Sequence, residues 1–274
     1  MKPNFENRYG TQLCRTATHI YLLPHPSLRP YVAHYTLCPR SGGYTAETAG
    51  VLTLIPDASG CYVLTLDPER LDARVYGPTT ETVTVCTDGG PTPPRFFVEF
   101  RPGGLFALTG IPQHELRDGV WPMQDTLPRL FDQFNLLTLT APDLDEFVLG
   151  ADKLLRPTVQ ANTPALPMLS YLLRSRDFSP VDALAWETAY SPRHLSRLFS
   201  QGAGMGCKSF LRIMRVNEAV RRIGAGSPSL TALAQELGYY DQAHFIHDFK
   251  SICGVSPGEY RAALSDFYNE PLKF

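Results

Sequence analysis

Hydrophobic and polar positions change their period along the 274 residues. From His19 to Phe100, short runs rich in Val, Thr, Tyr and Phe recur at 19–22, 31–37, 51–55, 61–66, 73–76, 82–87 and 95–100, separated by Pro, Gly and Asp. Short strands spaced by roughly 8–12 residues predict an antiparallel β barrel or sandwich. Alternation is strict in two runs: Val83, Val85 and Thr87 share one face, and Phe96, Val98 and Phe100 oppose Phe97, Glu99 and Arg101. The second, mixed face is either a ligand-facing wall or a solvated ion-paired surface. Beyond Trp121-Pro122 the period turns helical, through Leu127, Leu130, Phe131 and Phe134 and then Leu144, Phe147, Val148, Leu154 and Leu155, with Pro142 suited to a first turn. These stripes fit packing on the barrel and a dimer seam equally well. Residues 157–167, holding Asn162-Thr163-Pro164, read as a linker.

The C-terminal pattern is a repeated pair of helices. Ser179-Pro180-Val181-Asp182 opens a helix, Ala189-Tyr190 turns the chain, and Ser191-Pro192 opens a second helix, Arg193 to Phe199, with Leu195, Leu198 and Phe199 inward. Further on, Ser229 caps a helix carrying Leu230, Leu233, Ala234 and Leu237, Gly238 supplies a left-handed turn, and Asp241 caps a helix with Phe245 and Phe249 inward. Each pair has the form of a helix-turn-helix, whose second helix enters the major groove of DNA. One continuous helix, Lys208 to Ile223, joins them; at 1.5 Å per residue it is roughly 24 Å long, able to space two readers along adjacent groove segments. Ser256-Pro257-Gly258-Glu259 has the form of a capping box.

Composition narrows the classes. With 43% hydrophobic and 19% charged residues the chain is in the globular range, and no apolar run approaches the ~20 residues of a membrane span. The opening residues lead into no apolar signal core, so a cytoplasmic, non-secreted product is expected. Lys and Arg total 25 against 27 Asp and Glu, but residues 1–150 carry 11 basic and 16 acidic side chains, and residues 179–263 carry 9 basic and 7 acidic. This change of sign suggests two tasks on one chain, and DNA binding then requires the surplus cations to share one face. Cys14, Cys38, Cys61, Cys86, Cys207 and Cys253 show no Cys-x-x-Cys and read as reduced thiols. The first four, spaced by 24, 23 and 25 residues, leave open a thiolate cluster. His19, His25, His34 and His114 lack metal-site spacing, and no Gly-x-Ser-x-Gly occurs. Arg101-Pro102-Gly103-Gly104 lacks the Lys-Ser/Thr ending of a phosphate loop and reads as a turn. No catalytic, metal or cofactor site is therefore expected.

Leu233-Ala234-Gln235-Glu236-Leu237-Gly238-Tyr239-Tyr240-Asp241-Gln242-Ala243-His244-Phe245, followed by Phe249-Lys250, Gly254-Val255-Ser256-Pro257 and Glu259-Tyr260-Arg261, resembles the signature of the AraC family of bacterial transcription regulators. The resemblance covers about residues 179–263, with Arg215 and Ala219 and the segment 191–199. Ile55-Pro56-Asp57, Phe100 to Gly104 and Gly110-Ile111-Pro112 resemble a sensor-like domain often found ahead of that module. The implied fold is α+β: a cupin-like antiparallel β barrel or sandwich over 1–122, a helical linker or dimerisation segment over 123–175, and an all-α tandem helix-turn-helix over 176–265. The implied activity is sequence-specific, non-enzymatic binding of double-stranded promoter DNA, controlled by a small-molecule effector, with RNA polymerase and a second copy of the chain as candidate partners and no membrane or cofactor. The alternative is a cysteine-based redox or metal sensor, or an enzyme domain, fused to a DNA-binding module. In a third reading the N-terminal half binds no ligand and serves as a docking surface.

The resemblance places the recognition helices at about 192–200 and 241–250, which makes Arg193, Ser196, Arg197, Gln242, His244, His247 and Lys250 the candidate DNA contacts. Arg forks onto guanine edges or phosphates, and a Gln amide can pair with adenine or serve the cap or a phosphate. His244 fits a partly buried position better than a base contact, whereas His247 points outward. In the family Arg215 tends to lie beneath the fold and tie the units together. Two departures stand out. Thr188-Ala189 replaces an apolar residue and Gly, so a left-handed turn there costs about 1 kcal/mol more than with glycine. The second departure is Ile246-His247, where family members often carry polar or basic groups.

Overall fold

The β-branched and aromatic runs form strands because such side chains pack well on a pleated surface. The computed structural model describes residues 1–274 except 3, 17, 40–50, 68, 87–92, 160–164, 176–180, 227–228, 265–266 and 269–274. Its strands are β1 (Gln12–Arg15), β2 (Ile20–Leu22), β3 (Val32–Cys38), β4 (Val51–Leu54), β5 (Cys61–Thr65), β6 (Asp72–Tyr76), β7 (Val83–Cys86), β8 (Arg95–Phe100), β9 (Val120–Pro122) and β10 (Phe267–Tyr268). An antiparallel sheet runs β1-β2-β3-β8-β5-β6-β9, and a smaller one runs β10-β4-β7, with β10 parallel to β4. The seven expected runs correspond to β2 through β8; β1, β9 and β10 lie outside them. β1 and β9 are exposed edge strands without the alternation that would have announced them.

The helices of this half are α1 (Gly104–Thr109), α2 (Gln113–Leu116), α3 (Met123–Thr126), α4 (Pro128–Thr140) and α5 (Leu144–Leu155). Phe96, Val98 and Phe100 are fully buried on one face of β8, and with Tyr35, Leu37, Tyr62 and Leu64 they pack against Phe134, Phe147 and Ala151 of α4 and α5. The Phe96 ring meets Phe147 edge-on at 5.2 Å, and Tyr35 Oη donates to Asp152 at 2.8 Å. Aromatic burial on this scale contributes about 2–3 kcal/mol per side chain, so the α4–α5 stripes pack on the sheet. Of α4's leucines, Leu136 and Leu139 instead remain 61% and 60% exposed. On the other face of the sheet, pairing aligns His34 with Glu99 and Cys61, and Thr36 with Phe97 and Val63. Arg101 is not part of this face: β8 ends at Phe100, and the Arg101 Nε donates to the Arg29 carbonyl. Thr87, assigned to a β7 face, lies outside the described residues.

Arg101 to Gly104 form the expected turn. Gly103 takes φ +83°, and a Cβ on Gly104 would sit 2.0 Å from the Tyr31 carbonyl oxygen. Pro142 is not in a first turn, because Asp143 caps α5 by accepting from the Glu146 amide and so starts the helix at Leu144. Of the expected linker, 160–164 lie outside the described residues, and from Ala165 the chain is helical.

The second core is formed by α6 (Ala165–Ser175), α7 (Val181–Thr188), α8 (Pro192–Ala203), α9 (Cys207–Gly224), α10 (Leu230–Glu236), α11 (Gln242–Cys253) and α12 (Pro257–Ala262). Met168, Leu169 and Leu172 of α6 belong to this core. No helix is long and apolar enough to cross a membrane among the described residues.

Candidate nucleic-acid interface

The first helix pair is α7–α8. Ala189 turns the chain at φ +55°, the left-handed conformation expected where glycine is missing, and Ser191 caps α8 by accepting from the His194 amide at 3.2 Å. Leu195, Leu198 and Phe199 are buried, leaving Arg193, Ser196 and Arg197 exposed. Arg197 Nη2 lies 3.3 Å from His194 Nδ1, and the His194 ring lies 4.6 Å from that of Tyr190. α8 runs past the expected end to Ala203, where Gly204 closes it at φ +78°.

The second pair is α10–α11. Ser229 caps α10, Gly238 turns the chain at φ +74°, and Asp241 caps α11 by accepting from the His244 amide at 2.7 Å. Gln242, His244, His247 and Lys250 are exposed, while Phe245 and Phe249 are buried. His244 is thus not the partly buried residue expected: its ring stands edge-on to Tyr239 at 5.3 Å, outside the core. The Gln242 amide oxygen accepts from Thr231 Oγ1 at 2.7 Å, joining α11 to α10. The Ser256–Glu259 capping box is present.

The basic residues of this half divide by partner. Arg212 binds the buried Asp248 at 2.5 Å, and Arg221 and Arg222 both reach Glu218 at 2.6 Å, with Arg222 also on Glu236. The Glu218 hydrogen bond raises the Arg221 pKa, so these cations are neutralised within the fold. Arg215 stacks over the Tyr239 ring at 5.0 Å, tying α9 to the second helix pair. Burial and the neighbouring Asp248 push the Tyr239 hydroxyl pKa far up, so it stays protonated and donates to that carboxylate. Among the described residues Arg193, Arg197, Lys208 and Lys250 make no ion pair. The unneutralised charge therefore lies on α8, on α11 and at the start of α9.

The N-terminal half reaches this unit directly. Ile55 and Ala58 join its core cluster, and Asn217 Nδ2 of α9 donates to the Pro56 carbonyl at 2.7 Å. Arg117 Nη1 donates to the Gly204 carbonyl at the end of α8. A Cβ at Gly204 would come within 2.8 Å of Pro78 and 2.9 Å of the Gln113 carbonyl oxygen. The sequence reading missed Asn217, Arg117 and Asp248. The available signal was Asn217 standing in an apolar helical stripe between Ile213 and Val220; nothing in the sequence named its partner. No group of three or more potential metal-ligating side chains occurs among the described residues.

Two family models match the chain: a helix-turn-helix domain over residues 184–263 and a domain of unknown function, DUF6597, over 21–122. The arabinose operon regulatory protein of Escherichia coli (strain K12) is 28% identical over 90 residues, which is 33% of this chain and 31% of that protein. The HTH-type transcriptional activator AarP of Providencia stuartii is 31% identical over 93 residues, which is 34% of this chain and 67% of that protein. The chain spans about three tenths of the length of the first curated relatives it matches. The crystal structure of ToxT from Vibrio cholerae O395 aligns over 85% of this chain and 90% of its own, at 11% identity and a TM-score of 0.40. With two thirds of the Providencia activator matched by the tandem helix-turn-helix just described, the chain belongs to the AraC family of transcription regulators.

Proposed function

We propose that this protein binds promoter DNA sequence-specifically through α8 and α11, and that a small-molecule effector held by its N-terminal half controls that binding. The observation that carries the reading is the division of charge: cations inside the fold are paired, whereas Arg193 and Arg197 on α8 and Lys250 on α11 are exposed and unpaired among the described residues. Phosphate contacts position such a protein and base contacts specify its site. In this reading Arg193, Ser196 and Arg197 serve one groove segment, and Gln242, His244, His247 and Lys250 serve the next. Residues 1–122 act as sensor, 123–175 as linking or dimerisation segment, and 176–265 as reader. The mechanism is allosteric rather than catalytic, because an effector shifts the balance between arrangements of the two halves. The Pro56–Asn217 and Arg117–Gly204 contacts supply a route for this coupling. RNA polymerase is the proposed partner at the promoter, the cytoplasm the proposed compartment, and a second copy of the chain a proposed partner through the exposed Leu136 and Leu139 of α4.

Incubating the protein with sheared genomic DNA near physiological salt and sequencing the bound fraction tests the reading. The expected result is one enriched motif with two short blocks about 10 base pairs apart, one turn of DNA. Capture without an enriched motif, fading evenly as salt rises, would refute sequence-specific reading.

A further inference from the structure

Tyr190, His194 and Arg197 touch in sequence along the first two turns of α8. Ala189 turns the chain left-handed, and the Tyr190 that follows lays its ring on the His194 imidazole, with centroids 4.6 Å apart and planes inclined by 33°. Ser191 Oγ accepts from the His194 amide at 3.2 Å, so His194 is held through both its backbone and its ring. On the other side its Nδ1 lies 3.3 Å from Arg197 Nη2. A guanidinium carries donors and no acceptor. The Arg197 N–H therefore donates and Nδ1 supplies a lone pair, which makes the imidazole neutral in this contact, with its proton on Nε2.

Ordering a long cation on DNA costs rotamer entropy, and a contact that orders it beforehand removes part of that cost. Here the bond draws the guanidinium back toward the first turn of α8. In a helix-turn-helix the N-terminal residues of the second helix are those that meet the base edges. One N–H of Arg197 is engaged, and the others remain for DNA. Arg197 makes no ion pair among the described residues, so no carboxylate competes with the imidazole for it. The second recognition helix offers an internal comparison. His244 again lies three residues after a cap, Asp241, with its ring against Tyr239, but His247 occupies the place of Arg197. Tyr239 is moreover committed to the buried Asp248. The arrangement that has a cation to hold is the one on α8.

We propose that His194, which is not among the candidate DNA contacts, is a positioning residue for Arg197: its neutral imidazole, backed by the Tyr190 ring, holds the guanidinium at the DNA-facing end of α8. This inference rests on the DNA reading by α8 proposed above.

A double-mutant cycle on the full chain, read as affinity for a duplex carrying the enriched motif, tests the role. His194→Phe keeps a ring for Tyr190 and removes the acceptor. It should weaken binding by about fivefold, the cost of ordering one long side chain, and by less than about twofold once Arg197 is replaced by Ala. His194→Asn keeps an acceptor close to the place of Nδ1 and should recover most of the loss, which a packing role alone would not allow. Equal unfolding midpoints for the variants and the unaltered chain exclude misfolding as the cause. In the DNA-free protein above neutral pH, nitrogen NMR should show a bare Nδ1 whose signal shifts on Arg197→Ala. The role is overturned if Nδ1 carries the proton, if His194→Phe binds like the unaltered chain, or if its loss persists with Arg197 gone, which would make His194 a contact in its own right. Absence of any enriched motif sinks the DNA reading together with this role, whereas an enriched motif with no coupling in the cycle sinks this role alone.

Discussion

At the scale of single residues, Ala189 shows a backbone requirement overriding side-chain identity. The turn of the first helix pair needs a left-handed residue, and the chain supplies it at φ +55° without glycine. Glycine has no Cβ to strain there, so Ala189→Gly should stabilise the protein by about 1 kcal/mol, less the extra entropy it adds to the unfolded chain. A shift of the urea midpoint to higher concentration at unchanged slope would show it; a lower midpoint would contradict it. The cysteines give a second test. Burial raises the Cys207 thiol from 9.0 to about 11 and the Cys38 thiol to about 12. Raised folded-state values mean that the stabilisation is complete below the unfolded pKa of 9.0 and is lost as pH climbs toward 11–12. Urea midpoints measured from pH 8 upward should therefore fall through that window. The same burial makes these thiols poor sources of thiolate, which weighs against a redox sensor built on them. Cys14, which is exposed, should react first with a thiol reagent, and Cys38, Cys207 and Cys253 only on unfolding.

Local devices decided how far each element could be read from sequence. Ser191, Ser229, Asp241 and Ser256 each cap a helix by accepting from the backbone amide three residues on. Such signals sit within one turn of sequence, so these helix starts were legible. Strands β2 to β8 were legible because β-branched and aromatic runs alternate between turn residues. Edge strands β1 and β9 were not, since a strand with little buried face leaves no periodic mark. α8 extends beyond the expected end at Phe199, since Gly202 is buried within the helix and only Gly204 turns left-handed. As for the interface, the exposure of Arg193 and Arg197 followed from helical period, and the pairing of Arg221 and Arg222 with Glu218 lies at i,i+3 and i,i+4 within α9, while the neutralisation of Arg212 by Asp248 required a contact between elements that no spacing reveals. That division yields a prediction. Replacing both Arg193 and Arg197 by Ala should abolish motif-specific capture, at roughly 1–3 kcal/mol per lost base contact, with the unfolding transition unchanged because neither side chain packs in the core. Unaltered capture by the double variant would remove α8 from the interface.

For the whole molecule the decisive contacts are those between the two cores. Ile55 and Ala58, from the loop between β4 and β5, lie in the helix-turn-helix core, and the Pro56 carbonyl has Asn217 as a donor. Replacing Asn217 by Leu would leave that carbonyl without this partner, a loss of about 1–3 kcal/mol if water cannot reach it. Gly204 is more sensitive still. Its positive φ disfavours any side chain, and a Cβ would lie 2.9 Å from the Gln113 carbonyl oxygen, a backbone atom that cannot turn aside. Gly204→Ala must then either unwind the end of α8 or push it away from α2. The second outcome separates the halves and withdraws Ile55 and Ala58 from the helix-turn-helix core, and calorimetry distinguishes the two. If the contacts couple the halves, the unaltered protein should melt in one transition, and Gly204→Ala with Asn217→Leu in two, with the motif still captured but no longer responsive to any ligand of the N-terminal half. If the unaltered protein already melts in two transitions, the interface does not couple the halves and effector control must run through another route. If the variant melts in one transition at lower temperature and loses the motif, the end of α8 has unwound, and Gly204 serves the reader itself rather than its connection to the sensor.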